Sequence, residues 1–200
     1  TKRSELEKNF GTNYEKSEII KDMIIEQEIE RDIQGELSPR TMNALWMLIL
    51  LQLSKICSDV RRQVRNGANQ TLFRTIDMNG AGLESQTWHT CIWKIMVHHS
   101  RNTVDKQWDE TKVLVLTGMS GIIKNFLPFL INLEDFKQAW ELFLLHLQES
   151  CLYSSLEVAF AAIKSLNTII QFPEDEIHSN LPKKSISLLF KNAWITWERI

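Results

Sequence analysis

The chain has 200 residues and 44% hydrophobic content, enough for one sizeable core or a short stack of repeats sharing a continuous one, which excludes a chain disordered throughout. Its 23 basic and 25 acidic residues give a formal net charge of -2 and a pI near 6.2, so no global field draws it to nucleic acid or an anionic membrane, and an electrostatic partner must find a local patch. Seven Gly and four Pro are few for a turn-rich all-β protein, and helix is the favoured class.

Residues 1–36 are charged and polar apart from a weakly periodic set, Ile19, Ile20, Met23, Ile24, Ile25 and Ile29. They are read as an N-terminal arm, partly helical or disordered, that packs on its own repeats; an amphipathic helix for a partner is the sharper alternative. Order begins at Ser38-Pro39, a capping residue followed by a proline at the first helical position, where the missing N–H costs nothing. The helix that follows, to about Cys57, carries Leu45, Trp46, Leu48, Ile49, Leu50, Leu53 and Ile56 on more than one face. After Ser58-Asp59 a second helix holds Val60, Val64, Ala68, Leu72, Phe73 and Ile76 at spacings of three and four.

The pair then recurs. Ser85 opens a helix with Trp88, Cys91, Ile92, Ile95 and Met96, and a partner runs through Val113, Leu114, Leu116, Ile122 and Phe126 to Pro128. A third pair has Phe136, Ala139, Trp140, Phe143, Leu144 and Leu147 in its first helix, and Val158, Ala159, Ala162, Ile163, Leu166 and Ile170 in its second, capped by Ser154 or Ser155. A last helix, about residues 184–200, has no pairing helix within the chain.

Two registers make this a repeat rather than a count of helices. Trp46, Trp93 and Trp140 stand 47 residues apart twice running, each in the first helix of its pair, and are read as repeat-core markers. In the second helices, Val64 with Gly67, Val115 with Gly118 and Val158 with Ala161 place a small residue three positions after valine, where neighbours approach closely. Such self-similarity is the signature of an all-α, HEAT/armadillo-like α-solenoid, here about three and a half helical pairs over residues 37–200. Asp59 and Arg65 fit the same reading: a carboxylate at the inter-helix turn and a guanidinium six residues on satisfy backbone groups and each other.

The string Ser58-Asp59-Val60-Arg61-Arg62-Gln63-Val64-Arg65, continuing to Ile76, resembles a segment of large Golgi proteins related to Arf guanine-nucleotide exchange factors, most closely the Mon-two family. Trp88-His89-Thr90-Cys91-Ile92-Trp93, Trp108 through Gly118, and Phe136-Lys137-Gln138-Ala139-Trp140 resemble the same family in the same order, so the likeness spans roughly residues 40–170. The resemblance implies the C-terminal HEAT region of a non-enzymatic scaffold, peripheral on the cytosolic face of trans-Golgi and endosomal membranes, that acts in vesicle trafficking. It also implies a Dopey-family partner, an Arf-like small GTPase and a phospholipid flippase. The competing reading is a regulatory HEAT region of an active large Arf exchange factor; a nuclear-transport solenoid is weaker.

No constellation carries convincing chemistry, so no catalytic residue, cofactor or metal is expected. Cys91 with His98, His99, His89 or Cys57 lacks paired ligand spacing. Gly118-Met119-Ser120-Gly121 is not a nucleophile elbow and reads as small residues permitting close packing. Arg61, Arg62, Arg65 and Arg74 form a basic set on one helix, the candidate surface for an acidic partner or a phosphoinositide, against the plainer reading of inter-repeat ladders and a solvated face. No aromatic is interleaved there, which argues against nucleic acid.

Cys57, Cys91 and Cys151 are an odd, dispersed set on apolar patterns, suited to buried thiols in a reducing compartment. The longest unbroken apolar run, residues 44–51, is far short of the roughly 20 residues a bilayer demands, so no spanning helix is expected. The chain begins at Thr1 without a signal-peptide pattern and ends at Ile200 within a periodic stretch, and both ends are expected to be cuts from a longer protein. Trp194 and Trp197 would then be left exposed where a further repeat covers them, a homodimer contact being the alternative.

Overall fold

The computed structural model describes residues 39–85, 87–88, 106–133, 136–171 and 183–198. Among them are six α-helices and two short 3-10 turns, with no strand: α1 (Pro39–Ile56), α2 (Arg62–Asn79), the turn Gly80–Gly82, the turn Lys106–Trp108, α3 (Asp109–Leu130), α4 (Phe136–Cys151), α5 (Leu156–Ile170) and α6 (Lys183–Glu198). The all-α, solenoid-like class expected from the repeats is what forms. The arm at residues 1–36, its boundary, Trp93, Cys91 and the histidines at 89, 98 and 99 lie outside the described residues.

Compactness divides the chain into Thr1–Gln52 and Leu53–Ile200. In the first unit the described residues belong to α1, which starts at Pro39 as the first-position proline predicts and buries Met47, Leu50 and Leu51. Trp46 is half-buried there and Ile49 is exposed.

In the second unit, the second helices of the pairs lie side by side in chain order: α2 packs on α3, and α3 on α5. α4 packs on α5, and α6 packs on both α4 and α5. The last helix therefore has neighbours within the chain after all. It buries Leu189, Ala193 and Thr196.

Hydrogen bonds between helices recover the repeat length from geometry. Arg65 Nε donates to Thr111 Oγ1 across 46 residues, and Thr111 Oγ1 donates to Asn66 Oδ1 across 45. Asn125 Nδ2 donates to Asp77 across 48, Ser165 Oγ to the Leu116 carbonyl across 49, and Trp140 Nε1 to the Leu189 carbonyl across 49. Each bond links one repeat to the next, and all but the exposed Asn125–Asp77 pair satisfy a polar group that the packing removes from water. The separations cluster on the 47-residue tryptophan interval.

The central helix is α3. Asp109 and Glu110 in its first turn complement the positive end of its dipole, and it buries a broad face including Val115, Leu116, Met119, Ile122, Ile123, Phe126 and Leu127. By length and composition Lys106–Leu130 meets the requirement for a membrane-crossing helix, which the short unbroken run at residues 44–51 did not signal. Its place between α2 and α5 supplies another cause for that composition, since a helix flanked on two sides buries more than one face.

Candidate functional site

The four arginines singled out as a surface do not share one. Arg61, Arg62 and Arg74 are exposed, whereas Arg65 is 0% exposed. The cause is helical phase: Arg65, Asn69, Leu72, Phe73 and Ile76 recur at spacings of four, three, one and three, which places the guanidinium on the buried face of α2.

Among the described residues, Arg65 is held by carbonyl and hydroxyl oxygens rather than by a carboxylate. Its Nη1 donates to the Val60 carbonyl at 2.9 Å, its Nη2 to the Gln107 carbonyl, and its Nε to Thr111 Oγ1 at 2.9 Å. The guanidinium carbon lies 4.2 Å from the centre of the Trp108 ring, so the cation meets carbonyl oxygens in its plane and a π face above it. Asn69 Nδ2 bridges the carbonyls of Arg65 and Cys57. The cluster locks the turn Lys106–Trp108 and the start of α3 onto α2.

The expected pairing of Asp59 with Arg65 is replaced by a nearer one. Asp59 accepts from the Arg61 backbone N–H at 2.8 Å and from its Nε and Nη2 at 2.9 and 2.8 Å. The fork, with the Arg61 hydrogen bonds as leading cause, pulls the Asp59 carboxyl down to about 2. Arg62 Nε stands 3.6 Å from Glu110 on α3, both side chains largely in solvent. Exposed pairs of this kind exchange partners at little cost.

The tryptophan markers divide. Trp140 is buried and donates to the Leu189 carbonyl at 3.2 Å; Trp46 is half-buried. Trp88, outside the register, is as deeply buried as Trp140, donating to the Gly80 carbonyl at 3.0 Å and packing 4.9 Å from the Phe126 ring. Trp194 and Trp197 are exposed, as their place on the last helix suggested.

The small residues divide as well. A Cβ on Gly118 would stand 2.4 Å from the Phe73 ring, so α2 reaches α3 there only because the side chain is absent. Beside Gly67 and Gly121 a Cβ would meet nothing within 4 Å, so neither marks a close approach. Cys57 is buried and its thiol is pushed up to about 12 by desolvation, which makes it a packing thiol. Among the described residues no group of three or more His, Cys, Asp or Glu side chains is placed to hold a metal ion.

Residues 33–97 and 94–192 match the family described as the C-terminal region of Mon2 protein. The chain belongs to the Mon2 family. It is 36% identical to a human Protein MON2 homolog over 168 residues, covering 70% of this chain and 10% of that protein. It is 37% identical to the Xenopus laevis Protein MON2 homolog over 156 residues, with 64% and 9% covered, and 34% identical to the Drosophila melanogaster one over 165 residues, with 70% and 10% covered. The chain thus spans about a tenth of the length of these Mon2 relatives. No solved structure matches it. The Mon2 match begins before α1 and extends through α5 into α6, so it includes the Arg65 cluster and every inter-repeat bond described above.

Proposed function

We propose that this chain is a segment of a non-enzymatic scaffold in Golgi and endosome vesicle trafficking, docking protein partners on the cytosolic membrane face. The observation that carries the reading is the Mon2 match over residues 33–192 falling on a stack whose buried polar groups, Arg65, Thr111 and Ser165, are used in holding repeats together. Repeat stacks present extended surfaces to partners rather than a single enclosed site.

The partners that the Mon2 resemblance implies are a Dopey-family protein, an Arf-like small GTPase and a phospholipid flippase. Arg62 and Arg74 on α2, with Arg61 just before it, are offered to solvent. Arg61 and Arg62 are engaged by Asp59 and Glu110 in pairs that an acidic partner can replace.

The test is a pull-down of the chain from cytosol and Golgi-membrane extract, read by mass spectrometry, beside an Arg61→Glu, Arg62→Glu double variant. Recovery of a Dopey-family protein or a flippase subunit by the parent chain, and its loss in the variant, is expected. Equal recovery by both chains would remove the arginines from the interface, and recovery of nothing would contradict docking by this segment.

A further inference from the structure

The 47-residue register also lays out a solvent face across the row of second helices. Stepping by 47 from Gln63 gives Glu110 and Glu157, from Gln70 gives Thr117 and Lys164, and from Asp77 gives Lys124 and Gln171; every one of these residues is polar and exposed. On each helix they recur at spacings of seven, about two turns, so α2, α3 and α5 each present one polar stripe. Charge is sorted along the stripes. Glu110 and Glu157 lie in the first turns of α3 and α5, and Arg62 meets Glu110. Farther along stand Arg74, Lys124 and Lys164, one cation from each helix, all exposed.

Two bonds fix where these cations stand. Asn125 Nδ2 donates to Asp77 at 2.7 Å, which sets Arg74, one turn earlier on α2, beside Gly121, one turn earlier on α3. Ser165 Oγ donates to the Leu116 carbonyl, which sets Lys164 beside Thr117, one turn before Gly121; Lys124 follows Gly121 by one turn. Gly121 is half-buried, and a Cβ on it would meet nothing within 4 Å. It is therefore the floor of a hollow with a cation on the side of each helix. With neighbouring helix axes about 8–10 Å apart, the long Arg and Lys side chains reach a common point above it. Among the described residues none of the three has a carboxylate at ion-pair distance.

We propose that this hollow binds an acidic segment of a partner protein, with a Glu or Asp carboxylate seated over Gly121 among Arg74, Lys124 and Lys164. Charge selects the occupant: three cations that lack ion-pair partners face one open space, and the acid nearest them, Asp77, is already taken by Asn125. A peptide fits this face better than an anionic bilayer, because a flat bilayer also meets the carboxylates of Asp77, Glu110 and Glu157. The hollow is bounded by α2, α3 and α5 themselves, so a repeat stacked beyond α2 or α5 leaves it open. The inference rests on the docking reading for the existence of a partner. Its surface is separate from Arg61 and Arg62, since Arg62 and Arg74 stand about three turns apart on α2, so the two surfaces fail independently.

Fluorescence anisotropy of a fluorescein-labelled Glu-Ala-Ser repeat peptide with the full chain at low salt tests this, with circular dichroism to check that each variant is folded. The parent chain should bind the peptide saturably, more weakly as salt rises, and should not bind a version with Gln in place of Glu. Arg74→Glu, Lys124→Glu and Lys164→Glu should each weaken binding about tenfold or more, and Lys124→Arg should retain it. Lys137→Glu, the same charge change at an exposed residue of α4, should leave binding within about twofold of the parent. Gly121→Glu, which puts a carboxylate of the chain's own in the hollow, should abolish binding. A parent chain that does not bind the peptide would overturn the proposal. So would a loss in Lys137→Glu equal to that in Lys124→Glu, which marks attraction by overall charge, or binding to phosphatidylserine vesicles without binding to the peptide.

Discussion

Phe73 on α2 packs over Gly118 on α3, its ring 2.4 Å from where a Cβ on that glycine would stand. An alanine there forces the ring or the helix to move, so Gly118→Ala should lower stability by about 1–3 kcal/mol. Gly67→Ala should do the opposite, raising it by about 0.4–1 kcal/mol, because its Cβ meets nothing and the unfolded chain loses freedom. Urea unfolding of both variants checks this, and Phe73→Leu in the Gly118→Ala background should recover part of the loss.

Arg65 is the most consequential of the arginines for folding. Arg65→Met keeps much of the stem's volume but leaves the carbonyls of Val60 and Gln107 and the Thr111 hydroxyl without their donor. A loss of about 2–4 kcal/mol is expected from chemical denaturation. Arg61→Ala, whose side chain is in solvent, should leave the melting temperature unchanged.

These two arginines show what was legible in the sequence and what was not. The positions of the described helices follow from apolar periodicity, and the Trp140–Leu189 and Ser165–Leu116 bonds, each across 49 residues, lie near the 47-residue interval. The basic set divides between the two roles weighed for it, Arg65 tying one repeat to the next and Arg61, Arg62 and Arg74 lying in solvent, and closeness in sequence alone does not tell which residue takes which. The phase of Arg65 with Asn69, Leu72 and Ile76 was the available signal for its burial. Asp59 pairing with Arg61 rather than Arg65 depends on a local backbone turn that periodicity does not encode. Gly67 and Gly118 each stand three residues after a valine, yet only at Gly118 does a ring, that of Phe73 on α2, occupy the space a Cβ would need.

Trp140 links α4 to α6 through its indole N–H. Trp140→Ala should cost about 3–5 kcal/mol as a buried ring is lost. Trp140→Phe should cost less, about 1–3 kcal/mol, chiefly for the lost hydrogen bond to the Leu189 carbonyl. Thermal melts of the pair separate packing from hydrogen bonding.

Cys57 makes stability depend on alkaline pH. Its folded thiol ionises at about 12 against an ordinary 9.0, so between those values the unfolded chain holds fewer protons than the folded one, and stability falls as pH rises. Its contribution is fully present below about pH 9 and lost toward pH 12. Cys57→Ala should flatten the alkaline limb of a stability-against-pH curve, and in the parent the native thiol should resist thiol reagents until unfolding exposes it.

The central claim is that successive repeats, one register apart, hold each other through specific side chains, and a double-mutant cycle on Arg65 and Thr111 tests it most directly. The two are 46 residues apart and bonded at 2.9 Å. Denaturation of Arg65→Met, Thr111→Val and the double variant should give a coupling of about 1–3 kcal/mol. Strict additivity would contradict the stack, because residues that far apart in sequence couple only if the second helix of one repeat lies against that of the next.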